Sequence, residues 1–194
     1  MVVSGLDQAE QLLLAGDLPC PHCQAQLRPF GHGRPRVVRG LGAARLRLTP
    51  RRARCHGCRR TQILLPAALT IRRADSTEVI GNALIANVRG AGVRTIAAAL
   101  DRPESTVRRW LRGVDEPHAQ WLYRQGVDRA MTIDRELLVN PAPQPSALGH
   151  ALNVLGGAAH RYRQRLGLTT PLWSLVGVFV AGRLVLPIRT PRRT

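Results

Sequence analysis

The stretch Arg51-Arg-Ala-Arg-Cys-His-Gly-Cys58 ends in a Cys-x-x-Cys pair, and an earlier pair stands at Cys20-Pro-His-Cys23. Two such pairs together supply the four thiolates of a tetrahedral Zn²⁺ site. Because four protein ligands leave no open position for water or substrate, the expected ion is structural rather than catalytic. The sequence therefore predicts one structural Zn²⁺ held by Cys20, Cys23, Cys55 and Cys58.

Other uses of these cysteines stay open at this stage. They could form disulfides, or one pair could be a redox site of the thioredoxin kind, which needs a single pair near a βαβ unit. Three neighbouring histidines could also replace a cysteine as ligand: His22, His32 and His56. Two pairs in a helix-rich chain favour the metal site over the redox site.

Positive charge surrounds the cysteines. Residues 18–74 contain 13 arginines and neither Asp nor Glu, and the whole chain carries a formal charge of +17 with a pI near 11.7. The arginines of a segment without acids repel one another unless the segment binds a polyanion. That polyanion is usually nucleic acid and less often an anionic membrane surface. Low aromatic content (4%) argues against the stacking platforms that bind single strands.

Short β-favouring runs lie between and after the pairs, at 34–41, 44–49 and 61–65. We expect them to form a three-stranded antiparallel sheet closed by the metal, and the 31 residues between the pairs predict an enlarged hairpin. Within 44–49, arginines alternate with leucines. This two-residue alternation is typical of a strand with one solvent-exposed face. Five arginines on this strand and after it are predicted to follow DNA phosphates. They are Arg45, Arg47, Arg51, Arg52 and Arg54.

Helical patterns occupy the flanking segments. Residues 1–17 contain one short helix that stops at Gly16, and residues 75–113 contain three. The first of the three is expected to start at a capping box, Asp75-Ser-Thr-Glu78, with Asp75 as N-cap. The second and third are predicted over 93–100 and 104–112.

The second and third of these helices have the core spacing of a helix-turn-helix. The apolar positions are Ile96, Ala97, Leu100, Val107 and Trp110. Asp101 stands where the turn commonly has Gly, and Arg102 where an apolar residue is usual. The alternative is an ordinary helical hairpin with a solvated charged face. If the last helix reads DNA, its outer residues and one from the preceding helix are the expected contacts. They are Arg94, Glu104, Ser105, Thr106, Arg108, Arg109 and Arg112.

Residues 117–194 read as further helices: a long one after Pro117, a second capped by Ser146, and a short apolar one after Pro171. The last must be buried or lie at an interface, so we expect a homodimer through the C-terminal helices. No stretch is long enough to span a bilayer. The expected fold is thus mainly α with a small antiparallel zinc ribbon (18–72), a homeodomain-like three-helix domain (75–113) and a helical C-terminal region, after a leading helix (1–17).

From Cys20 to Arg112 the chain resembles the N-terminal zinc ribbon and helix-turn-helix of insertion-sequence transposases, most closely those of a little-characterised transposase-like set in high-GC bacteria. The resemblance is carried by Cys20-Pro-His-Cys23, Phe30-Gly-His32, Arg51-Arg-Ala-Arg-Cys-His-Gly-Cys58, Leu64-Leu-Pro66 and Thr106-Val-Arg-Arg-Trp-Leu111. It implies binding of double-stranded DNA at element ends or an operator, and it extends no further than about residue 114.

A full transposase would continue with an RNase H-like core that carries three metal-binding carboxylates on separated strands. The 80 residues after Val114 contain five acids, all within a helical pattern: Asp115, Glu116, Asp128, Asp134 and Glu136. The prediction is therefore a protein that binds double-stranded DNA sequence-specifically, as a transposase-derived regulator or a mobile-element accessory protein. It is expected to be cytoplasmic, nucleoid-associated when bound to DNA, and without catalytic activity. A truncated or partner-dependent transposase subunit is the main alternative. RNA binding and a protein-binding zinc module are the remaining, less favoured alternatives.

Overall fold

Two small sheets and seven α-helices make up the described residues of the computed structural model, which are 1–3, 5–139 and 142–186. The larger sheet, called the cysteine sheet below, has the order β1-β6-β5-β2, and the smaller is a two-stranded hairpin, β3-β4. The strands are β1 Val2–Val3, β2 Leu27–His32, β3 Arg36–Arg39, β4 Arg45–Leu48, β5 Arg51–Cys55 and β6 Thr61–Pro66.

The predicted three-stranded sheet was wrong in its membership. The runs at 34–41 and 44–49 pair with each other as the hairpin and with no strand of the cysteine sheet, while β6 pairs with β5, and β5 with β2. Sequence reasoning missed β2 because Pro29 and Gly31 lower its β propensity, and missed β5 because three of its five residues are arginines. The enlarged hairpin was confirmed, since β3-β4 is inserted between β2 and β5.

The first helix, α1 Leu6–Ala15, packs on the cysteine sheet. It ends at Gly16, whose φ of 82° is the left-handed conformation that glycine adopts easily. Ala9 and Leu13 of this helix are buried with Leu27 and Leu64 of the sheet, in the core that also contains two of the cysteines. The two-residue strand β1, which pairs parallel with β6, is too short to leave a sequence signal.

Three helices follow the cysteine sheet: α2 Thr77–Val88, α3 Val93–Leu100 and α4 Glu104–Arg112. The bounds of α3 and α4 coincide with those predicted. Ile96, Ala97, Val107 and Trp110 are all buried between the helices, as expected, and Leu100 is half-buried. The three helices are called the three-helix unit below.

The predicted cap of α2 was wrong by one residue. Ser76, not Asp75, is the N-cap, and its Oγ accepts a hydrogen bond from the Val79 amide at 3.2 Å. Asp75 lies next to it but is buried, and its carboxylate is engaged by two arginines. Those two guanidinium groups compete for the oxygens that a capping residue would offer to the helix amides.

The C-terminal region consists of α5 Glu116–Ile133, a 3₁₀ turn at Arg135–Leu138, α6 Ala147–Arg165 and α7 Leu172–Phe179. Ser146 caps α6 as predicted. Gly126 allows α5 and α6 to approach closely, since a Cβ there would lie 3.0 Å from the Leu155 nitrogen. The basic tail, 191–194, and Pro141 of the predicted 141–145 break lie outside the described residues.

The apolar helix α7 is buried within its own chain. Leu175, Val176 and Phe179 belong to the same core as the three-helix unit, and the Trp173 indole lies against Gly81 and donates from Nε1 to Asn82 Oδ1 at 3.1 Å. Of the two alternatives expected for α7, burial and an interface, the structure shows burial within the chain. Homodimerisation stays a prediction, but it no longer follows from an uncovered α7.

His118, in the first turn of α5, is the buried titratable group of this region. Its Nε2 lies 3.0 Å from the Arg183 carbonyl oxygen and 3.2 Å from that of Leu184, so Nε2 carries the proton and donates. The Nδ1 atom is buried and has no hydrogen-bond partner among the described residues. Burial is the main reason that the pKa of His118 is lowered, although the two carbonyls and Asp115 act to raise it.

This lowered pKa predicts acid destabilisation. The unfolded chain takes up a proton at His118 near pH 6.5, whereas the folded chain does so only at lower pH, so the free energy of unfolding should fall as the pH drops below about 6.5. Urea unfolding at pH 7.5 and 5.5 should show a smaller loss for His118→Gln than for the wild type. His160→Gln, at an exposed position of α6, should lose as much as the wild type. Equal losses in all three proteins would contradict the prediction.

Candidate metal centre and basic surface

The four cysteine sulfurs converge on one point at the end of the cysteine sheet. All four Sγ atoms lie within 4.8 Å of one another, with Cys20 3.7 Å from Cys58 and Cys23 3.4 Å from Cys55. A tetrahedron of sulfurs about 2.3 Å from a central Zn²⁺ has edges of about 3.8 Å. None of the four is in a disulfide. The donor set and its spacing therefore fit a metal ion, and Zn²⁺ in particular is plausible.

Two similar turns present these sulfurs. In each pair the first cysteine is buried and the second exposed. The residue after each pair, Gln24 or Arg59, has a φ of 60° and thereby turns the chain back. Gly57 lies where the two turns meet, because a Cβ there would be 2.9 Å from the Ala25 Cβ and 3.6 Å from Cys23 Sγ. A larger residue at this position would push the two turns apart.

Histidine takes no part in this group among the described residues. The Nδ1 of His22, which was an alternative ligand, lies 3.2 Å from Arg60 Nη1 on the surface. His32 is on β2 and His56 is exposed in the second turn, and neither belongs to the group. The four cysteines are thus the only His, Cys, Asp or Glu group that could hold a metal in the part of the chain that the structure describes.

The thiols influence one another electrostatically. The Ala25 amide, followed by the Cys55 side chain, lowers the pKa of Cys23 to about 6, and the His22 amide is the main cause that lowers the pKa of Cys20. The Arg60 amide also acts to lower the pKa of Cys58, but desolvation and the three other cysteines outweigh it and raise that pKa to about 11. A bound dication relieves this conflict, because it stabilises all four thiolates together.

The five arginines predicted to follow phosphates lie in two places and are not equivalent. Arg45 and Arg47 are exposed on β4 of the hairpin. Arg52 and Arg54 project from β5 and stack over the Phe30 ring, with guanidinium carbons 5.1 and 5.3 Å from its centroid. Arg51 instead donates from Nε to Glu10 Oε2 at 2.8 Å, so its charge is already paired with an acid of α1.

The outer face of α4 is polar and basic. Val107 and Trp110 are buried, whereas Glu104, Ser105, Arg108, Arg109 and Arg112 are exposed and Thr106 is half-buried. Arg108 and Glu104 are one helical turn apart and form a loose ion pair of 3.6 Å. Arg94, on α3, is exposed as well.

An ion-pair cluster that sequence reasoning missed joins the hairpin to the three-helix unit. The Asp75 carboxylate accepts from Arg39 Nη2 on β3 and from Arg102 Nε in the α3–α4 turn, both at 2.7 Å. The side chains of Arg102 and Asp75 are only 1% and 2% exposed. These three residues are called the Asp75 cluster below.

Further hydrogen bonds reinforce this connection. Arg102 also donates from Nη2 to the Gly40 carbonyl of the hairpin at 2.7 Å, and from Nη1 to two carbonyls of its own turn. The β3 backbone joins in, because the Arg39 amide donates to Ala74 and its carbonyl accepts from Ser76. The hairpin is therefore held rigidly against the turn that precedes α4.

The structure accounts for the two unusual residues of the α3–α4 turn. Asp101 adopts the left-handed conformation, with φ 52°, which Asp tolerates better than most residues other than Gly. Arg102 fills a position where an apolar residue is usual because its charge is neutralised there by Asp75. Two signals could have revealed this: a cation at an apolar position, and a single acid directly after the acid-free residues 18–74.

The acids of the C-terminal region do not assemble into a site within the described residues. Asp115 and Asp134 cap helical segments, and Asp134 also pairs with Arg161 at 3.1 Å. Glu116, Asp128 and Glu136 lie on α5 and the 3₁₀ turn and belong to no metal-binding group. In the described ranges, no helix has the length and apolar character needed to cross a membrane.

Comparison with known proteins gives a match to a protein family. Neither a curated protein nor a solved structure matches this chain. Residues 20–110 match a family described as a domain of unknown function, DUF6431. The matched range begins at the first cysteine of the metal centre and ends at Trp110 of α4. From the first cysteine pair through Trp110 of α4, this chain is therefore similar to the DUF6431 family.

Proposed function

We propose that this protein binds double-stranded DNA in a sequence-specific manner, as a transposase-derived regulator or an accessory protein of a mobile element. The observation that carries the proposal is the Asp75 cluster, because it fixes an arginine-rich hairpin against a three-helix unit whose last helix has an exposed basic face. The proposed role is binding without catalysis, in the cytoplasm and on the nucleoid.

In this proposal the three-helix unit is a homeodomain-like helix-turn-helix and α4 is its recognition helix. The polar residues at the start of α4 and the arginines along its outer face suit the major groove, where Arg pairs with guanine O6 and N7. Arg109 is a good candidate for such a contact, because it is exposed and no acid pairs with it among the described residues, unlike Arg108 with Glu104.

In this proposal, the hairpin and the cysteine sheet supply the contacts with DNA that do not depend on the DNA sequence. Arg45, Arg47, Arg52 and Arg54 lie on strands, where their guanidinium groups can follow a row of phosphates. The Phe30 ring supports two of them and limits the side-chain entropy that they lose on binding. Arg51 is excluded from this set because its charge is already met by Glu10.

The metal centre has a structural part in the proposal. Zn²⁺, when bound by Cys20, Cys23, Cys55 and Cys58, supplies a cross-link between the two cysteine turns and no chemistry on a substrate. The turns flank β2 and β5, which carry Phe30 and the arginines above it. Loss of the ion should therefore affect the basic surface as well as the fold.

A competition titration with two classes of variant tests this function. Arg47→Ala should weaken binding to the specific duplex and to a scrambled duplex alike, and should lower the slope of log K against log salt by about 0.9. Arg109→Ala should cost about 1–3 kcal/mol on the specific duplex and little on the scrambled one. The specific duplex would be obtained by footprinting on the neighbouring genomic DNA.

The control is Arg124→Ala, which removes an equal charge from an exposed position on α5 and should change neither value. If Arg109→Ala, and likewise Arg108→Ala and Thr106→Ala, lost equally on both duplexes, α4 would not read the DNA sequence. If the wild-type protein bound neither duplex at low salt, the proposed function itself would be wrong.

A further inference from the structure

A groove lies between α2 of the three-helix unit and the helices α6 and α7, and it is called the α2 groove below. Its inner part has a volume of about 160 Å³ and is lined by apolar side chains of all three helices, among them Ile85, Leu152, Leu155, Trp173 and Val176. An outer part of about 260 Å³ adjoins it, because Ile85 and Leu152 line both parts. Together the two parts reach the size of small-ligand sites, which begins at about 300 Å³.

The inner part offers a ligand only apolar surface. Its lining residues are apolar, and each of them is buried or half-buried. The polar atom of the Trp173 ring is already used, because Nε1 donates to Asn82 Oδ1 at 3.1 Å. An apolar group that enters this space leaves water and is stabilised there by the hydrophobic effect.

The outer part is polar and positively charged. Arg89, at the C-terminal end of α2, is the only charged residue among the described residues that line either part, and the amide side chains of Gln144 and Asn153 line the same space. Arg89 is exposed and forms no ion pair with a described acid. Guanidinium and amide N–H groups donate to carboxylates, and an arginine can do so through two parallel hydrogen bonds.

Gly156 lies on the wall of the inner part, in the interior of α6. Glycine destabilises the interior of a helix relative to alanine. Gly126 of α5 has a packing reason for its lack of a side chain, since a Cβ there would lie 3.0 Å from the Leu155 nitrogen. A Cβ at Gly156 would meet no heavy atom within 4 Å, so no packing contact among the described residues requires glycine here. The lack of a side chain at Gly156 does keep the inner part open.

We propose that the α2 groove binds a small carboxylic acid, whose apolar body enters the inner part and whose carboxylate pairs with Arg89. Ile85 and Arg89 are one helical turn apart, about 6 Å along the axis of α2, so a body the size of one benzene ring and a carboxylate fit within one molecule. The bound acid contacts the three-helix unit and the C-terminal helices together. This inference does not rest on the DNA-binding function proposed above, because the groove uses none of the residues predicted to contact DNA.

Sodium hydrocinnamate, a benzene ring joined to a carboxylate by two methylene groups, is the probe. Added to the full-length, metal-loaded protein at matched ionic strength, it should shift the indole N–H resonance of Trp173 and the amide resonances of Asn153 and Gly156. A ligand of this size should bind with a Kd on the order of 1 mM. The indole resonances of Trp110 and Trp121, which do not line the groove, should not move. No shift at Trp173, Asn153 and Gly156 would overturn the proposal.

Hydrocinnamamide has the same apolar body without the charge, and it tests the pairing with Arg89. It should bind about tenfold more weakly than the acid, because it lacks the charge-assisted hydrogen bonds. Arg89→Gln should weaken binding of the acid to a similar extent and leave binding of the amide unchanged. Arg124→Gln, which removes an equal charge from an exposed position on α5, should change neither. Equal affinities for acid and amide in the wild-type protein would overturn the assignment of a carboxylate.

A pair of glycine variants tests the location. Gly156→Leu should abolish binding of both compounds, because its side chain competes for the inner part. Gly157→Ala is the matched control, because it removes the neighbouring glycine of the same helix, and its Cβ would make only an ordinary contact, 3.6 Å from Leu137. This control should bind like the wild type. Undiminished binding in a folded Gly156→Leu variant would overturn the proposed site.

Discussion

Cys55→Ser is expected to abolish metal binding and to unfold the cysteine sheet. Purified wild-type protein should contain about one Zn²⁺ per chain, and the variant close to none. The effect should be large because Cys55 is buried in the small core of this sheet, and because binding of a structural zinc contributes a free energy comparable to the whole stability of a small domain. Metal analysis and circular dichroism, both before and after addition of a chelator, measure the two losses.

His56→Ser is the matched control, because His56 is the next residue and is exposed in the same turn. It should retain the metal and the fold, whereas an equal loss in both variants would mean that His56 is a ligand. Metal-free protein that stays folded under reducing conditions, with Cys20 and Cys23 as free thiols, would contradict the structural role of the ion.

Asp75→Ala is expected to give the second large effect. It removes two ion pairs at once and leaves Arg102, whose side chain is 1% exposed, with no counter-charge. Breaking a buried pair by removing one partner typically costs about 3–5 kcal/mol, a large part of the stability of a domain. Denaturant unfolding of the metal-loaded protein should show this loss in the free energy of unfolding.

Two further variants test whether the loss of stability in Asp75→Ala is caused by the broken buried ion pairs. Glu10→Ala breaks the pair with Arg51, but Glu10 is 38% exposed, so the cost should stay below about 1 kcal/mol. The double variant Asp75→Leu, Arg102→Met should recover much of the loss, because apolar residues of similar size can replace a buried ion pair. If Asp75→Ala cost no more than Glu10→Ala, the cluster would not hold the hairpin and the helices together.

Local patterns predicted the parts of the fold that local interactions determine. The bounds of α3 and α4 followed from two short amphipathic runs on either side of a turn at Asp101 and Arg102, and the metal centre followed from the spacing of two cysteine pairs. In each case the residues that decide the structure stand within a few positions of one another, or have a chemistry that permits few alternatives.

The parts that could not be predicted depend on distant partners. Asp75 fits a capping box when only its neighbours are considered, and its real partners stand 36 and 27 residues away. The strand β5 has little β propensity of its own and forms because β2 and β6 lie on either side of it.

The Asp75 cluster also constrains how sequences of this kind can diverge. A single change at Asp75 leaves the two arginines of the cluster without their carboxylate partner. A single change at Arg102 leaves Asp75 with one ion-pair partner and removes the hydrogen bond from that side chain to the Gly40 carbonyl. We therefore expect positions 39, 75 and 102 to be inherited as a set, exchanged together or not at all. The residues on the outer face of α4 are not constrained by the core in this way. The proposed DNA preference can therefore change between related proteins while the fold that presents α4 stays the same.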